Sequence, residues 1–160
     1  MNYISDEAYR AVEVRLRKRW TMRQKAEEAL ARARAKAVNI SAPSGPGSGG
    51  GKGGKSGSRT ERGALAVVRA EKRLETVRRW EAVFRKMDQI FPEDTNEGFV
   101  IGMIYGNGMT QAELARMCEC SRQTVKMRQD RYVIRAAFLA AQLGLIREEV
   151  TMDGDVDSEK

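Results

Sequence analysis

Apolar side chains recur along most of this chain at steps of three and four, the period of one helix face. The first series runs Tyr9, Val12, Leu16, Arg19, Arg23, Ala26, Leu30, Ala33 and Ala37, and only its two arginines are polar. Ser5 stands where an N-cap belongs, Asp6 and Glu7 follow where carboxylates suit the helix dipole, and neither Pro nor Gly interrupts the chain before Val38. This predicts one long amphipathic helix from Asp6 to about Val38, with Arg10, Arg15, Arg17, Lys18, Arg32 and Lys36 on its outer surface. A second series, Val67, Ala70, Leu74, Val77, Trp80, Phe84, Met87 and Phe91, follows a capping-box spacing at Ser58-Arg59-Thr60-Glu61 and stops at Pro92. It predicts a second long helix. The two seams fit either an antiparallel hairpin within one chain or packing on another copy, and the pattern does not separate these.

Between the two series, Ser41 to Gly57 reads SAPSGPGSGGGKGGKSG, with eight of the chain's 15 glycines. Such a segment has little apolar area to bury against its ordering entropy and is expected to be a flexible linker. Gly49 to Ser56 formally matches the phosphate-loop pattern GxxxxGK[ST]. That chemistry needs a strand before the loop and a helix after it, and Ser41 to Pro46 offers no strand. Lys52 and Lys55 are therefore read as solvated linker residues.

Beyond the Pro92–Asn96 break, Phe99, Val100, Met103 and Ile104 mark a short helix, stopped by Gly106-Asn107-Gly108. A capping box at Thr110-Gln111-Ala112-Glu113 opens the next helix, which ends near Cys118, and Ser121 is placed to cap a final long helix through Val125, Val133, Ala136, Ala140 and Leu143 to Gly144. The apolar pair Leu114-Ala115, a three-residue connection and then Ser121-Arg122-Gln123-Thr124-Val125 have the layout of a helix-turn-helix. Two helices that cross closely need a small contact residue, here Ala115, and a short turn. The second helix then offers outward residues to base edges: Arg122, Gln123, Lys126, Met127 and Arg131, with Ser121 and Thr124 beside them. Thr110 and Gln111 at the start of the first helix, and Arg116, are the expected backbone contacts.

Composition then narrows the function. The chain of 160 residues carries 29 Lys+Arg against 22 Asp+Glu, a formal charge of +7, and no histidine. Without His, the Ser-His-Asp and Cys-His nucleophiles and His-containing zinc sites are excluded. Cys118 and Cys120 are too few for a four-ligand zinc site, and their spacing suits neither a disulfide nor an oxidising compartment, so both are read as small apolar fillers. No carboxylate pair or nucleophile–base set stands out, so no catalytic residue, metal or cofactor is expected and the chain is read as a binder rather than an enzyme. No run approaches 18 apolar residues and MNYISDEAYR holds no apolar h-region, so neither a membrane span nor a signal peptide is expected. Trp80 lies on the apolar seam and is expected in the core, whereas Trp20 sits among basic residues and is read as a hairpin or dimer contact. The methionines at 103, 109 and 117 are read mainly as core filling, with Met127 facing the groove.

From Trp80 to Ile146 the chain resembles the C-terminal part of the RinA/ArpU-like phage transcriptional regulators, whose domain is similar to the promoter-reading region of sigma factors. The residues that carry the resemblance are Trp80, the Phe99…Tyr105 helix, Gln111-Ala112-Glu113-Leu114-Ala115, Ser121-Arg122-Gln123-Thr124-Val125 and Leu143-Gly144-Leu145-Ile146. The two long helices with the Gly-rich break follow the same layout, though that break is longer and simpler than the family pattern and the two cysteines match nothing in it. The resemblance implies a bacteriophage activator of late genes in the bacterial cytoplasm. Its partners would be double-stranded DNA and bacterial RNA polymerase, and the long helices could make it a homo-oligomer. Two alternatives accompany this reading: an antitermination factor riding on the polymerase, and the small terminase subunit of DNA packaging. The position of the helix-turn-helix in the second half of the chain argues against the last.

The expected organisation is all-α: a basic helix over 1–40, a linker over 41–57, a second helix over 58–92, a DNA-binding domain over 93–150 and an acidic tail over 151–160. If the Gly/Ser-rich stretch buries no core, deleting Ser44 to Lys55 should leave the melting temperature nearly unchanged, since loop closure costs only about 0.6 kcal/mol per doubling of length. A large drop on thermal denaturation would show the stretch to be structural.

Overall fold

The computed structural model describes residues 4–41 and 58–147. The linker expectation from residue 42 onward and the acidic tail lie outside the described residues. Six α-helices and one π-helical turn are present, and no strand occurs among the described residues. None of these helices is long and apolar enough to cross a membrane.

The expected single N-terminal helix is two. α1 spans Asp6–Lys18 and α2 spans Met22–Ser41, with a break over Arg19–Thr21. The buried residues give the reason. Ala8, Val12 and Leu16 are buried on α1, and Met22, Ala26 and Leu30 on α2. The step of six from Leu16 to Met22 is not helical, so a continuous helix would turn one of the two stripes away from its packing partner. The polar Arg19 and Arg23 in the predicted seam were the visible sign of this phase change. At the other end of α1 the cap is as expected: the Ser5 side chain accepts a hydrogen bond from the Ala8 N–H at 3.1 Å.

α3 spans Arg59–Ile90 and starts directly after Ser58, whose carbonyl accepts from the Arg62 N–H at 3.1 Å. The described residues fall into two compact units, one from Thr21 to Arg78 and one that joins Met1–Trp20 to Arg79–Lys160. The first holds α2 and the early turns of α3. There Arg34 of α2 pairs with Glu71 of α3 at 3.0 Å, so the two helices lie beside each other within one chain.

The second unit holds α1, the last turns of α3, then α4 (Asn96–Ile101), a π-helical turn (Gly102–Gly106), α5 (Gln111–Met117) and α6 (Arg122–Gln142). Packing therefore assigns α1 and the end of α3 to the same body as α5 and α6, rather than dividing the chain at residue 93. α1, α4 and α5 all pack on α6. α6 can receive them because its inner face reads Val125, Val133, Ala136, Ala137 and Ala140, all buried, and alanines let neighbouring backbones approach closely. Trp80, Val83, Phe84 and Met87 from α3 complete this core. Each large side chain so buried contributes about 1.5–3 kcal/mol of transfer free energy. Cations cover its rims: Arg15 lies over Trp80 (5.6 Å), Arg17 over Tyr105 (5.6 Å) and Arg19 over Phe84 (5.3 Å), and Arg19 also pairs with Asp88. These α1 arginines, expected on a solvated face, spend their guanidinium planes on aromatic packing.

Trp20 is 56% exposed, with its ring edge 3.4 Å from where a Cβ of Gly106 would stand. It packs within the chain, against the π-helical turn. Phe99, Met117 and Leu143, placed on apolar positions by their spacing, are exposed, whereas Met103 does pack on the core. α6 stops where Gly144 takes φ 65°.

Two backbone positions are sharply constrained. A Cβ on Gly98 would sit 2.6 Å from the Phe91 carbonyl oxygen and closer still to that of Pro92, so the turn into α4 requires glycine. Glu119, in the connection between α5 and α6, holds φ 51°, a left-handed conformation that costs a residue with a Cβ about 1–2 kcal/mol. Opposite outcomes are expected in chemical denaturation. Gly98→Ala should destabilise by at least the ~1–3 kcal/mol of an overpacked site. Glu119→Gly should stabilise by a fraction of the left-handed cost, since glycine also gains freedom in the unfolded chain.

Candidate nucleic-acid interface

α5 opens on a complete capping box. The Thr110 hydroxyl accepts from the Glu113 N–H at 3.2 Å, and the Thr110 N–H donates to the Glu113 carboxylate at 2.8 Å. The Thr110 hydroxyl proton also goes to that carboxylate, at 2.8 Å. These bonds, backbone first, hold the exposed Glu113 carboxyl below its usual range. Thr110 was expected to offer its hydroxyl and N–H to phosphate. The structure commits both to Glu113, which brings a negative charge to the same helix end. Ser121 caps α6, accepting from the Thr124 N–H at 3.0 Å, and its hydroxyl lies 2.9 Å from that of Thr124.

Between the two helices the chain turns tightly: the Cys118 N–H bonds to the Leu114 carbonyl (2.9 Å) and the Cys120 N–H to the Ala115 carbonyl (3.0 Å). Leu114, Ala115, Val125 and Val100 form the buried cluster under this turn, with both cysteines packed against it as partly buried fillers. No group of three His, Cys, Asp or Glu side chains that could hold a metal lies among the described residues.

The outer face of α6 lines an open groove of about 1310 Å³. Six of the expected contact residues meet there: Gln111, Arg122, Gln123, Lys126, Met127 and Arg131. Thr110, Arg116, Ser121 and Thr124 do not line it; Arg116 is exposed and its Nε reaches back to the Ala112 carbonyl at 3.4 Å. Met127 is 47% exposed, facing outward as expected. The groove also holds Asp130, Ile134, Arg135 and Phe138 from α6 and Ile90 and Phe91 from the end of α3, none of which the sequence reading selected. Their signal was present: the pairs 122/123, 126/127, 130/131 and 134/135, then 138, recur every four residues and trace one outer stripe along α6.

Four cations, Arg122, Lys126, Arg131 and Arg135, face one carboxylate in this groove. That carboxylate is held at both oxygens, by the Lys126 ammonium (2.7 Å) and by the Tyr9 hydroxyl from α1 (2.7 Å). Arg131 pairs with Glu97 at 3.2 Å, and Arg122 has no ion pair or hydrogen bond of its side chain recorded among these contacts. Directly beneath, the carboxamide of Gln129 is 4% exposed. It accepts from Gln111 Nε2 at 2.7 Å and donates to the Tyr105 hydroxyl at 2.6 Å, while that hydroxyl donates to Glu13 at 2.7 Å. A polar relay thus ties α1, the π-helical turn and α5 to the underside of the outer stripe of α6.

Comparison of the chain with protein-family models, with curated proteins and with solved structures finds no match.

The relay sets an alkaline limit on stability. Burial first, then the hydrogen bond to a carboxylate, raises the phenols of Tyr9 and Tyr105 above the ordinary value near 10, and burial raises that of Tyr132 against the opposing charge of Arg19. Above pH 10 the unfolded chain releases phenolic protons that the folded chain retains, so the folded state binds more protons and stability falls as pH rises. Denaturation midpoints should therefore hold up to about pH 9 and decline beyond 10. Tyr105→Phe, which removes one of these phenols, should flatten the decline; an unchanged slope would show that Tyr105 ionises alike in both states.

Proposed function

We propose that α5, the turn and α6 form a helix-turn-helix that binds double-stranded DNA, with the first turns of α6 reading the major groove. One observation carries this reading: immediately after a capped turn, α6 presents Arg122, Gln123 and Lys126 side by side on an outer face, all exposed, in a groove where cations outnumber carboxylates four to one. Arg can pair with guanine O6 and N7, Gln with adenine N6 and N7, and Lys with either a base edge or phosphate. Arg131, a further turn along, suits phosphate, as does the exposed Arg116 on α5. Asp130 tempers the site. Its pairing with Lys126 must loosen before that ammonium reaches DNA, which favours contacts that repay the loss.

The role that fits such a reader is a transcription regulator of the phage type named by the resemblance, acting on late genes with RNA polymerase as its second partner. No step of this role requires a cofactor or catalytic group.

Binding titrations at several salt concentrations, on specific and scrambled duplexes, test the reading. Arg122→Ala and Gln123→Ala should each cost about 1–3 kcal/mol on the specific duplex and relax preference at one base pair, with the fold intact. Lys126→Ala, if the lysine meets phosphate, should weaken all duplexes alike and lower the salt slope by about one. If all three variants bind every duplex as the original chain does, α6 is not the reading element.

A further inference from the structure

The cations of the groove stand at regular intervals. Arg122, Lys126, Arg131 and Arg135 are spaced by four, five and four residues, which on a helix rising ~1.5 Å per residue puts them about 6–7.5 Å apart. Beyond Arg147, the last residue described, the sequence continues EEVTMDGDVDSEK. In it Asp153, Asp155, Asp157 and Glu159 alternate strictly, and an extended chain would set them along one edge about 6.4–6.8 Å apart. Four acids and four arginine or lysine side chains therefore share a repeat. The opposite edge of such a strand carries Met152 and Val156, and the groove has an apolar side in Ile90, Phe91, Ile134 and Phe138 that base reading by the start of α6 leaves unused.

Reach and direction agree with this match. α6 ends at Gln142, and the Leu145 N–H bonds back to the Ala140 carbonyl at 2.9 Å, so the chain leaves from the end of α6 that carries Phe138 and Arg135. The way back from Gln142 to Arg122 is 20 residues of helix, about 30 Å. The 13 residues from Glu148 to Lys160 span up to about 43 Å extended. Running antiparallel to α6, Asp153 would come to Arg135 and Glu159 to Arg122.

We propose that Glu148–Lys160 docks in the α6 groove as an acidic strand that occupies the cationic stripe. Docking stands on the spacing, charge and reach of the chain itself; its consequence, competition with DNA for Arg122 and Lys126, rests on the function proposed above. A segment docked nine-tenths of the time would weaken duplex binding about tenfold.

The test compares the full chain with a full-length variant in which Asp153, Asp155 and Asp157 become Asn and Glu159 becomes Gln, using methyl NMR. The expected result is a shift of the Ile90, Met127 and Ile134 methyl signals between the two chains, with buried Met87 unmoved, and loss of the difference in 1 M salt, where screening falls to about 3 Å. Superimposable groove methyls at low salt would overturn the proposal. So would a difference that grows with protein concentration, which would give the groove to a second copy. A parallel titration with a scrambled duplex at low salt reads the consequence, the variant binding about tenfold tighter. Moved methyls in chains that bind no duplex would leave docking in place and sink the DNA reading instead.

Discussion

α6 has to serve two environments along one axis, and the rest of the second unit follows from that constraint. Its inner face, from Val125 to Ala140, receives α1, α4 and α5, while its outer face stays open and cationic. A helix can do both only if the two stripes keep their phase, which 21 residues of unbroken helix allow. The alanines at 136, 137 and 140 make the inner contact close. The charged residues at 122, 126, 131 and 135 are then displayed at fixed intervals by a scaffold that does not have to move to present them.

The buried amide of Gln129 joins the two faces. An unsatisfied polar group at that depth would cost about 1–3 kcal/mol, so its partners on α5 and the π-helical turn are held in register with α6. Tyr9 does the same for Asp130, and through Asp130 for Lys126. The orientation of the outer residues therefore depends on α1, which precedes them by more than a hundred residues in the chain. Apolar packing would leave helices free to slide; hydrogen bonds with defined directions fix one arrangement.

Local signals were enough for the all-helical class, for the caps at Ser5, Thr110 and Ser121, for the turn at Cys118–Cys120 and for the outward direction of Arg122, Gln123 and Lys126. Each depends on residues within a turn or two of one another, which is the range over which side-chain capping and helical periodicity act. Tertiary structure alone decided the rest. It broke the first helix at Arg19–Thr21, because two apolar stripes out of phase have to meet different partners. It turned Arg15, Arg17 and Arg19 onto aromatic rings, committed Thr110 to Glu113, and set Asp130 among the groove cations with Tyr9 behind it. Those choices join residues far apart in the chain or weigh one partner against another, and the free energy that settles them lies in packing and desolvation, which no single stretch of sequence contains.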